Sequence, residues 1–223
     1  MLIVPPWTSF NIVFYISLAV MTVIGAYSDY HGWLGLQYSK FSTGRGIPSR
    51  VGMFIIYFLP IVMATAAAWS YLPDASVIQL AVYLAVSLHF AKRVLETLFL
   101  HKYSGTIEVL TLVFIIFIYS FIAGTICFLN AQAIPAMDAW FYMGMLLLVI
   151  GEAGNFYHHK LLADLRKNGE GYHVPQGGWF RYVACPHYLF ELIAWLGIFL
   201  MSRHLFTLLA FFAMFAYLVE RSV

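Results

Sequence analysis

The 223-residue chain is 62% apolar and 18% aromatic, with only 10% charged residues and a mean hydropathy of +0.83; a soluble globular domain carries about 25% charge. A water-soluble fold of this size could not hide that much apolar surface, so its solvent is largely lipid. Disorder is excluded by the same composition, nucleic-acid binding by a net charge of only +2, and a disulfide scaffold by two cysteines, Cys127 and Cys185, in apolar stretches without framework spacing.

Runs of roughly 20 apolar residues read as transmembrane helices. The first is expected over Asn11–Tyr27; it lacks the basic leader and small-residue cleavage site of a signal peptide. The second covers Val51–Tyr71 and is interrupted by Pro60. The third, Val77–Leu100, is apolar at first and polar from His89 onward. Val109–Leu129 forms the fourth, and the fifth begins near Trp140 and turns polar after Glu152. Pro186–Met201 and Leu205–Val219 supply the sixth and seventh. The sequence thus predicts an all-α polytopic membrane protein, one domain over residues 1–223 without repeats or linkers.

Seven spans put the chain ends on opposite sides and sort the cations. Lys40, Arg45, Arg50, Lys92, Arg93, Lys102, Lys160, Arg166, Lys167, Arg181 and Arg221 fall on one side, and only Arg203 on the other. The positive-inside rule then predicts a lumenal or external N-terminus and a cytosolic C-terminus.

Ionisable residues inside membrane spans are costly and point to function. Three clusters lie at the cytosolic end. In the first, His89, Phe90, Lys92, Arg93 and Glu96 lead to His101 and Lys102. At 100° per residue, His89, Arg93 and Glu96 fall within about 60° of one another, and Glu96 is spaced to pair with Lys92 or Arg93. A snorkelling basic rim would account for the lysine and arginine, but not for a His and a Glu on the same face. In the second cluster Glu152, Asn155, His159 and Arg166 form one polar stripe, which either lines a cavity or ties helices together. The stripe runs into a Gly-rich loop, Arg166 to Phe180, containing Tyr172 and His173. Its cations suit phosphate contacts, although its glycines equally mark ordinary turns. In the third, Cys185-Pro186-His187-Tyr188-Leu189-Phe190-Glu191 opens the sixth span, with His187 and Glu191 one turn apart on one face. A His–Glu clamp between helices is the structural reading of that pair. The eight histidines show none of the close His-x-x-x-His or His-x-x-His-His spacings of membrane di-iron enzymes, and no metal site is expected.

Three blocks together resemble the steroid 5α-reductase family: Gly154-Asn155 through Gly178, the Cys185–Glu191 turn, and His89-Phe90-Ala91-Lys92-Arg93-Val94-Leu95-Glu96-Thr97-Leu98-Phe99 with His101-Lys102-Tyr103-Ser104-Gly105. The last block looks most like the trans-2-enoyl-CoA reductase branch, and Ile47-Pro48-Ser49-Arg50 also fits the family. The resemblance implies a seven-helix oxidoreductase using NADPH from the cytosol to reduce a carbon–carbon double bond conjugated to a carbonyl. The substrate would be an acyl-CoA or a steroid, with no nucleic-acid partner. Residues 1–108 would face substrate, and 109–223 would form the NADPH-binding half. The compartment implied is the endoplasmic reticulum, or the cytoplasmic membrane of a bacterium.

Residue by residue, the resemblance implies that Asn155, Arg166 and Tyr172 contact cofactor phosphates and ribose, as do His159 and His173, which replace the usual Asp and Arg of the steroid branch. His187 stands where steroid reductases carry Asn, and Glu191 matches the acid beside the nicotinamide amide. Arg221 matches a basic residue after the last span. Tyr188 and Lys92, with Glu191, would be catalytic, the tyrosine donating to the carbonyl. His89, Phe90, Arg93 and Glu96 would contact substrate. There are departures. Phe90 replaces the Tyr that grips a 3-ketone and cannot donate a hydrogen bond, and Ile55-Ile56-Tyr57-Phe58 lacks the family's acidic substrate residue. The family continues into a basic tail that helps hold the adenine end, and the sequence here stops at Val223. Alternatives are a polyprenol reductase, an S-adenosylmethionine-dependent methyltransferase of the isoprenylcysteine or phospholipid type, and a non-catalytic lipid-binding relative. An enoyl thioester is favoured over a steroid enone.

Overall fold

The computed structural model describes residues 1–31, 46–165 and 175–222. Seven helices follow in order: α1 (Ser9–Tyr30), α2 (Ser49–Ala68), α3 (Val77–Leu95), α4 (Val109–Leu129), α5 (Ala139–Leu165), α6 (Pro186–Ser202) and α7 (Leu205–Glu220). Five of them, α1 to α5, are long and apolar enough to cross a membrane. Helices α6 and α7, at 17 and 16 residues, reach only about 25 Å at 1.5 Å per residue, at the short limit for a hydrocarbon core of about 30 Å. The helical membrane architecture therefore stands, and the expected sixth and seventh spans are short apolar helices.

Local sequence accounts for most boundaries. Ser76 and Gln79 form a reciprocal capping box at the start of α3. Pro186 opens α6 at a position where its missing N–H costs nothing, and α6 ends at Arg203 in the left-handed region (φ 54°). Pro60 does not interrupt the second span: α2 runs through it, with Pro60 buried among its neighbours. Inside a bundle, surrounding helices shelter the carbonyl that proline leaves without its usual partner.

Two features were not legible in the periodicity. Residues Glu96–Leu100 continue α3 as a π-helical turn, closed by the His101 N–H donating to the Glu96 carbonyl at 2.9 Å; such turns recur at functional sites. Strand β1 (Ile47–Pro48) pairs antiparallel with β2 (Thr106–Ile107), a short addition to an otherwise helical protein. Ser49 donates to the carbonyls of Gly105 and Ser104, and Arg50 Nη2 donates to that of His101 at 3.2 Å. These bonds fasten the segment after α3 to the start of α2 and so fix His101 and Tyr103.

With no water to expel between helices, packing holds a membrane bundle together, and small residues let backbones approach. Helices α5 and α6 are the tightest pair. A Cβ on Gly197 would lie 2.6 Å from the Gly144 carbonyl oxygen, and one on Gly151 would overlap the backbone of Ala194. The core beside this seam holds Trp195, Phe141, Ile198, Phe90 and Phe206, all at most 2% exposed. Helix α1 lies against α7 and leaves most of its surface outward. Ile3 exchanges main-chain hydrogen bonds with Arg203 and Leu205 at 2.7 and 2.9 Å, tying the N-terminal segment to the α6–α7 turn.

Candidate active site

The polar ends of α3 and α5 meet α6 inside the bundle. From α3, His89 Nδ1 lies 2.6 Å from Glu152 Oε1 of α5, and Lys92 Nζ lies 2.8 Å from Glu152 Oε2. Lys92 also donates to Asn155 Oδ1 and sits 3.7 Å from Glu96 Oε1. Asn155, 1% exposed, passes the connection on by donating from Nδ2 to the His187 carbonyl at 2.8 Å. The stripe on α5 thus serves both readings of the sequence: it binds helices together, and one end of it opens to a cavity.

Next to this chain stands Arg93. Its Nη1 donates to Glu96 Oε2 and to His159 Nδ1, the latter at 2.8 Å, and its Nη2 donates to the Tyr57 hydroxyl of α2 at 2.9 Å. A guanidinium only donates, so His159 Nδ1 is the acceptor and the ring proton is assigned to Nε2. Glu96 Oε2 and His159 Nδ1, 3.0 Å apart, are two acceptors gathered by one arginine. Two cations, Lys92 and Arg93, face two carboxylates, Glu96 and Glu152. Buried charge in lipid is tolerable only when matched and hydrogen-bonded in this way.

A cavity of about 270 Å³ opens on this cluster, lined by Arg93, His159, His101, Tyr103, His187 and Tyr188, with Ser49, Met53, Ile107, Leu162 and Ala163 as its remaining wall. The His187 and Tyr188 rings lie tilted against each other at 4.2 Å between centroids, and His187 Nδ1 is buried with no hydrogen-bond partner among the described residues. A second cavity, about 320 Å³ and almost wholly apolar, lies on the other side of the same turn, between Lys92, Leu95, Glu96, Phe99, Leu100 and Phe156.

Most of the expected site residues converge. Lys92, Arg93, Glu96, Asn155, His159, His187 and Tyr188 form one cluster, and Glu191, half-buried one turn after His187, lies within electrostatic range of Arg93 and Tyr57. His89 and Phe90 do not line either cavity. His89 packs edge-on to Trp195 at 5.1 Å, and Phe90, 2% exposed, fills the core between Trp195 and Tyr119. Arg221 caps α7 with its guanidinium over the Tyr217 ring at 5.4 Å and borders neither cavity. Arg166, Tyr172 and His173 lie outside the described residues.

Four participants were not marked as site residues in the sequence. Tyr57 sits in an apolar run whose one signal was a lone hydroxyl. Tyr103 and His101 reach the cavity because the π turn and the β1–β2 pairing carry their segment there. His158 was hidden beside His159, about 100° around the helix. Its Nδ1 donates to the Gly154 carbonyl at 2.7 Å and its Nε2 accepts the Trp179 N–H at 3.1 Å, so it pins the segment before α6 to α5. Glu96, His101 and His159 also bring one carboxylate oxygen and two ring nitrogens within 4.8 Å of one another, a grouping that linear spacing did not reveal. A cation there would have to displace Arg93 from both Glu96 and His159.

The profile of the family described as 3-oxo-5-alpha-steroid 4-dehydrogenase matches residues 106–222, which include α5 and α6. The chain is 31% identical over 205 residues to mouse 3-oxo-5-alpha-steroid 4-dehydrogenase 1, covering 80% of this chain and 77% of that protein. It is 35% identical over 140 residues to Xenopus laevis polyprenal reductase, covering 54% of this chain and 44% of that one. To the very-long-chain enoyl-CoA reductase of Dictyostelium discoideum it is 31% identical over 123 residues, covering 53% and 41%. The aligned region thus spans less than half the length of these last two relatives.

Proposed function

Because this chain belongs to the 3-oxo-5-alpha-steroid 4-dehydrogenase family, we propose that it is a membrane reductase that uses NADPH to saturate a carbon–carbon double bond conjugated to a carbonyl in a lipid. An enoyl thioester is the favoured substrate, ahead of a 3-oxo-Δ4-steroid and a polyprenal. One observation carries the reading. In a predominantly apolar bundle, three helices turn His, Arg and Tyr side chains into a single cavity, within electrostatic range of Glu191.

The cavity suits the nicotinamide end of the cofactor. The unpartnered Nδ1 of buried His187 is available to an amide or ribose hydroxyl; the His159 ring centroid lies 5.3 Å from that of His187, Asn155 holds the His187 carbonyl, and Glu191 follows one turn later. Arg166, Tyr172, His173 and Arg221 are the proposed contacts for the phosphates and adenine end. When bound, NADPH supplies the hydride for the β carbon. The protein's part is orientation, exclusion of water and charge stabilisation. Tyr188 donates to the substrate carbonyl, while Lys92, held by Glu152 and Asn155, fixes Asn155 against α6. The apolar cavity beside Phe99 and Phe156 suits a hydrocarbon chain near the reacting end. All seven helices are proposed to span, α6 and α7 as short spans, with the N-terminus lumenal or external and the cavity mouth cytosolic, in the endoplasmic reticulum or a bacterial cytoplasmic membrane. Residues 1–108 form the substrate-side half and 109–223 the cofactor half.

The test is nucleotide binding to purified protein in detergent by fluorescence or calorimetry, with NADH and S-adenosylmethionine as controls. NADPH binding that is weakened at least tenfold by Asn155→Ala, with NADPH consumption on trans-2-hexadecenoyl-CoA, progesterone or a polyprenal, is the expected outcome. Binding of S-adenosylmethionine in its place would transfer the protein to the methyltransferase reading. Silence from all nucleotides would favour a non-catalytic lipid-binding protein.

A further inference from the structure

The two basic residues of the α3 turn are in opposite hydrogen-bonding conditions. An ammonium has three N–H donors, and Lys92 Nζ faces three protein oxygens: Asn155 Oδ1, Glu152 Oε2 at 2.8 Å and Glu96 Oε1 at 3.7 Å. It borders the apolar cavity rather than the polar one. A guanidinium has five donors in a rigid fork. Arg93 spends three of them on Glu96, His159 and Tyr57. The second Nη2 hydrogen and the Nε hydrogen have no acceptor among the described residues, and Arg93 lines the polar cavity together with Tyr188.

We propose that Arg93 is the catalytic group that stabilises the developing oxyanion of the substrate, beside Tyr188, and that Tyr57 is its positioning residue. This rests on the reductase reading above. As hydride from NADPH forms the new C–H bond at the β carbon, the C=C π pair becomes the α-carbon–carbonyl-carbon double bond of an enolate. The carbonyl π pair moves onto oxygen, and a proton from solvent, by way of the cavity mouth, later closes the α carbon. Charge therefore appears on the oxygen, and donors fixed in advance at that point lower the barrier. Arg93 is fixed on three sides. Glu96 and His159 hold Nη1, and Tyr57 both accepts from Nη2 and places its ring under the guanidinium at 4.8 Å. The fork cannot swing into the cavity as a loose cation would. The Lys92–Glu152–His89 chain, in which the two carboxylate oxygens of Glu152 lie 2.6 Å from His89 Nδ1 and 2.8 Å from Lys92 Nζ, is scaffold.

The experiment compares wild type, Arg93→Lys and Tyr57→Phe as full chains in detergent. Single-turnover NADPH oxidation is followed with trans-2-hexadecenoyl-CoA and progesterone. NADPH affinity is measured in parallel, as is the infrared carbonyl stretch of progesterone bound in the presence of NADP⁺. Arg93→Lys keeps the charge and loses the fork. It is expected to lower kcat at least about 100-fold with NADPH affinity within about threefold of wild type, and to shift the bound carbonyl stretch toward its value in water. Tyr57→Phe keeps the ring and loses the acceptor. It is expected to lower kcat about tenfold with KM unchanged, and it carries the test should Arg93→Lys fail to fold. Activity of Arg93→Lys or Tyr57→Phe within threefold of wild type, or losses that merely track NADPH affinity, would overturn the assignment. Wild-type protein that binds NADPH yet reduces neither probe overturns the reductase reading for those substrates, a result distinct from an active wild type with unaffected variants.

Discussion

The two ends of α3 hold comparable amounts of buried polarity and use it differently. At its N-terminal end, Asn130, 1% exposed, donates to the Tyr71 hydroxyl at 3.1 Å and the Gln79 carbonyl at 2.9 Å, while Tyr71 donates to the Cys127 carbonyl at 3.0 Å. Gln79 in turn donates to the carbonyls of Asn130 and Ala131. Burial pushes the Tyr71 phenol up to about 12, so it remains a donor at any working pH. These side chains mostly satisfy helix-end carbonyls that lipid cannot, and they border neither of the two cavities described above. At the C-terminal end the bonds run between charged side chains of different helices, and donors of Arg93 and the Nδ1 of His187 are left over toward an open volume. Closed polarity is scaffold. Polarity with capacity remaining toward a cavity is a site.

If that contrast is right, substitutions at the site end alter ligand binding as well as stability, and those at the other end alter stability alone. The largest expected effect is from Glu152→Ala, which leaves His89 and Lys92 without their counter-charge. With the Glu152 side chain 20% exposed, the loss is about 2–3 kcal/mol rather than the full value for a sealed pair. Titration with dodecyl sulfate would measure it, and NADPH binding should weaken in parallel because Lys92 no longer fixes Asn155. Asn130→Ala removes two donors from a sealed site and should destabilise by about 2 kcal/mol, with NADPH affinity unchanged in the folded fraction. A change in affinity there would break the contrast. Tyr71→Phe deletes the bond to the Cys127 carbonyl and should lower stability by about 1 kcal/mol, again without touching nucleotide binding.

The smallest effect concerns pH. Arg203 donates to both oxygens of Asp138, at 2.7 and 3.1 Å, and the Phe141 N–H caps the same carboxylate. The guanidinium, followed by that backbone N–H, holds Asp138 below its ordinary value. A depressed folded value means that the pair's stabilisation is present above about pH 4, the unfolded value, and is lost as pH falls further through the folded one. Melting temperature followed from pH 6 to pH 3 should therefore decline less steeply in Asp138→Asn than in wild type, by a small margin because the carboxylate is exposed. Equal slopes in the two proteins would remove any acid-sensitive role for this clasp.

Much of this architecture was legible before any coordinates. Apolar length alone located the seven long helices of the described residues to within a few positions, since in lipid a backbone that does not close its own hydrogen bonds is untenable. Helical periodicity also brought Glu152, Asn155 and His159 onto one stripe, and the placement of ionisable groups in apolar spans marked α3, α5 and α6 as carriers of chemistry. Pro60 was over-read as an interruption, because the penalty for proline depends on what surrounds the freed carbonyl.

Tertiary structure alone decided how these groups are divided. Lys92 and Arg93 are adjacent and chemically alike in sequence, yet a turn of 100° sends one to Glu152 and Asn155 and the other to Tyr57, Glu96 and His159. His89 and Phe90, expected as substrate contacts, pack against Trp195 and border neither cavity described, while Tyr57, in a run with no polar neighbour, accepts a hydrogen bond from Arg93. Which partner a buried charge meets depends on helix rotation and crossing, set by close packing such as the Gly151–Ala194 and Gly144–Gly197 contacts. Those contacts join residues more than 40 positions apart, and no local pattern in the chain encodes them.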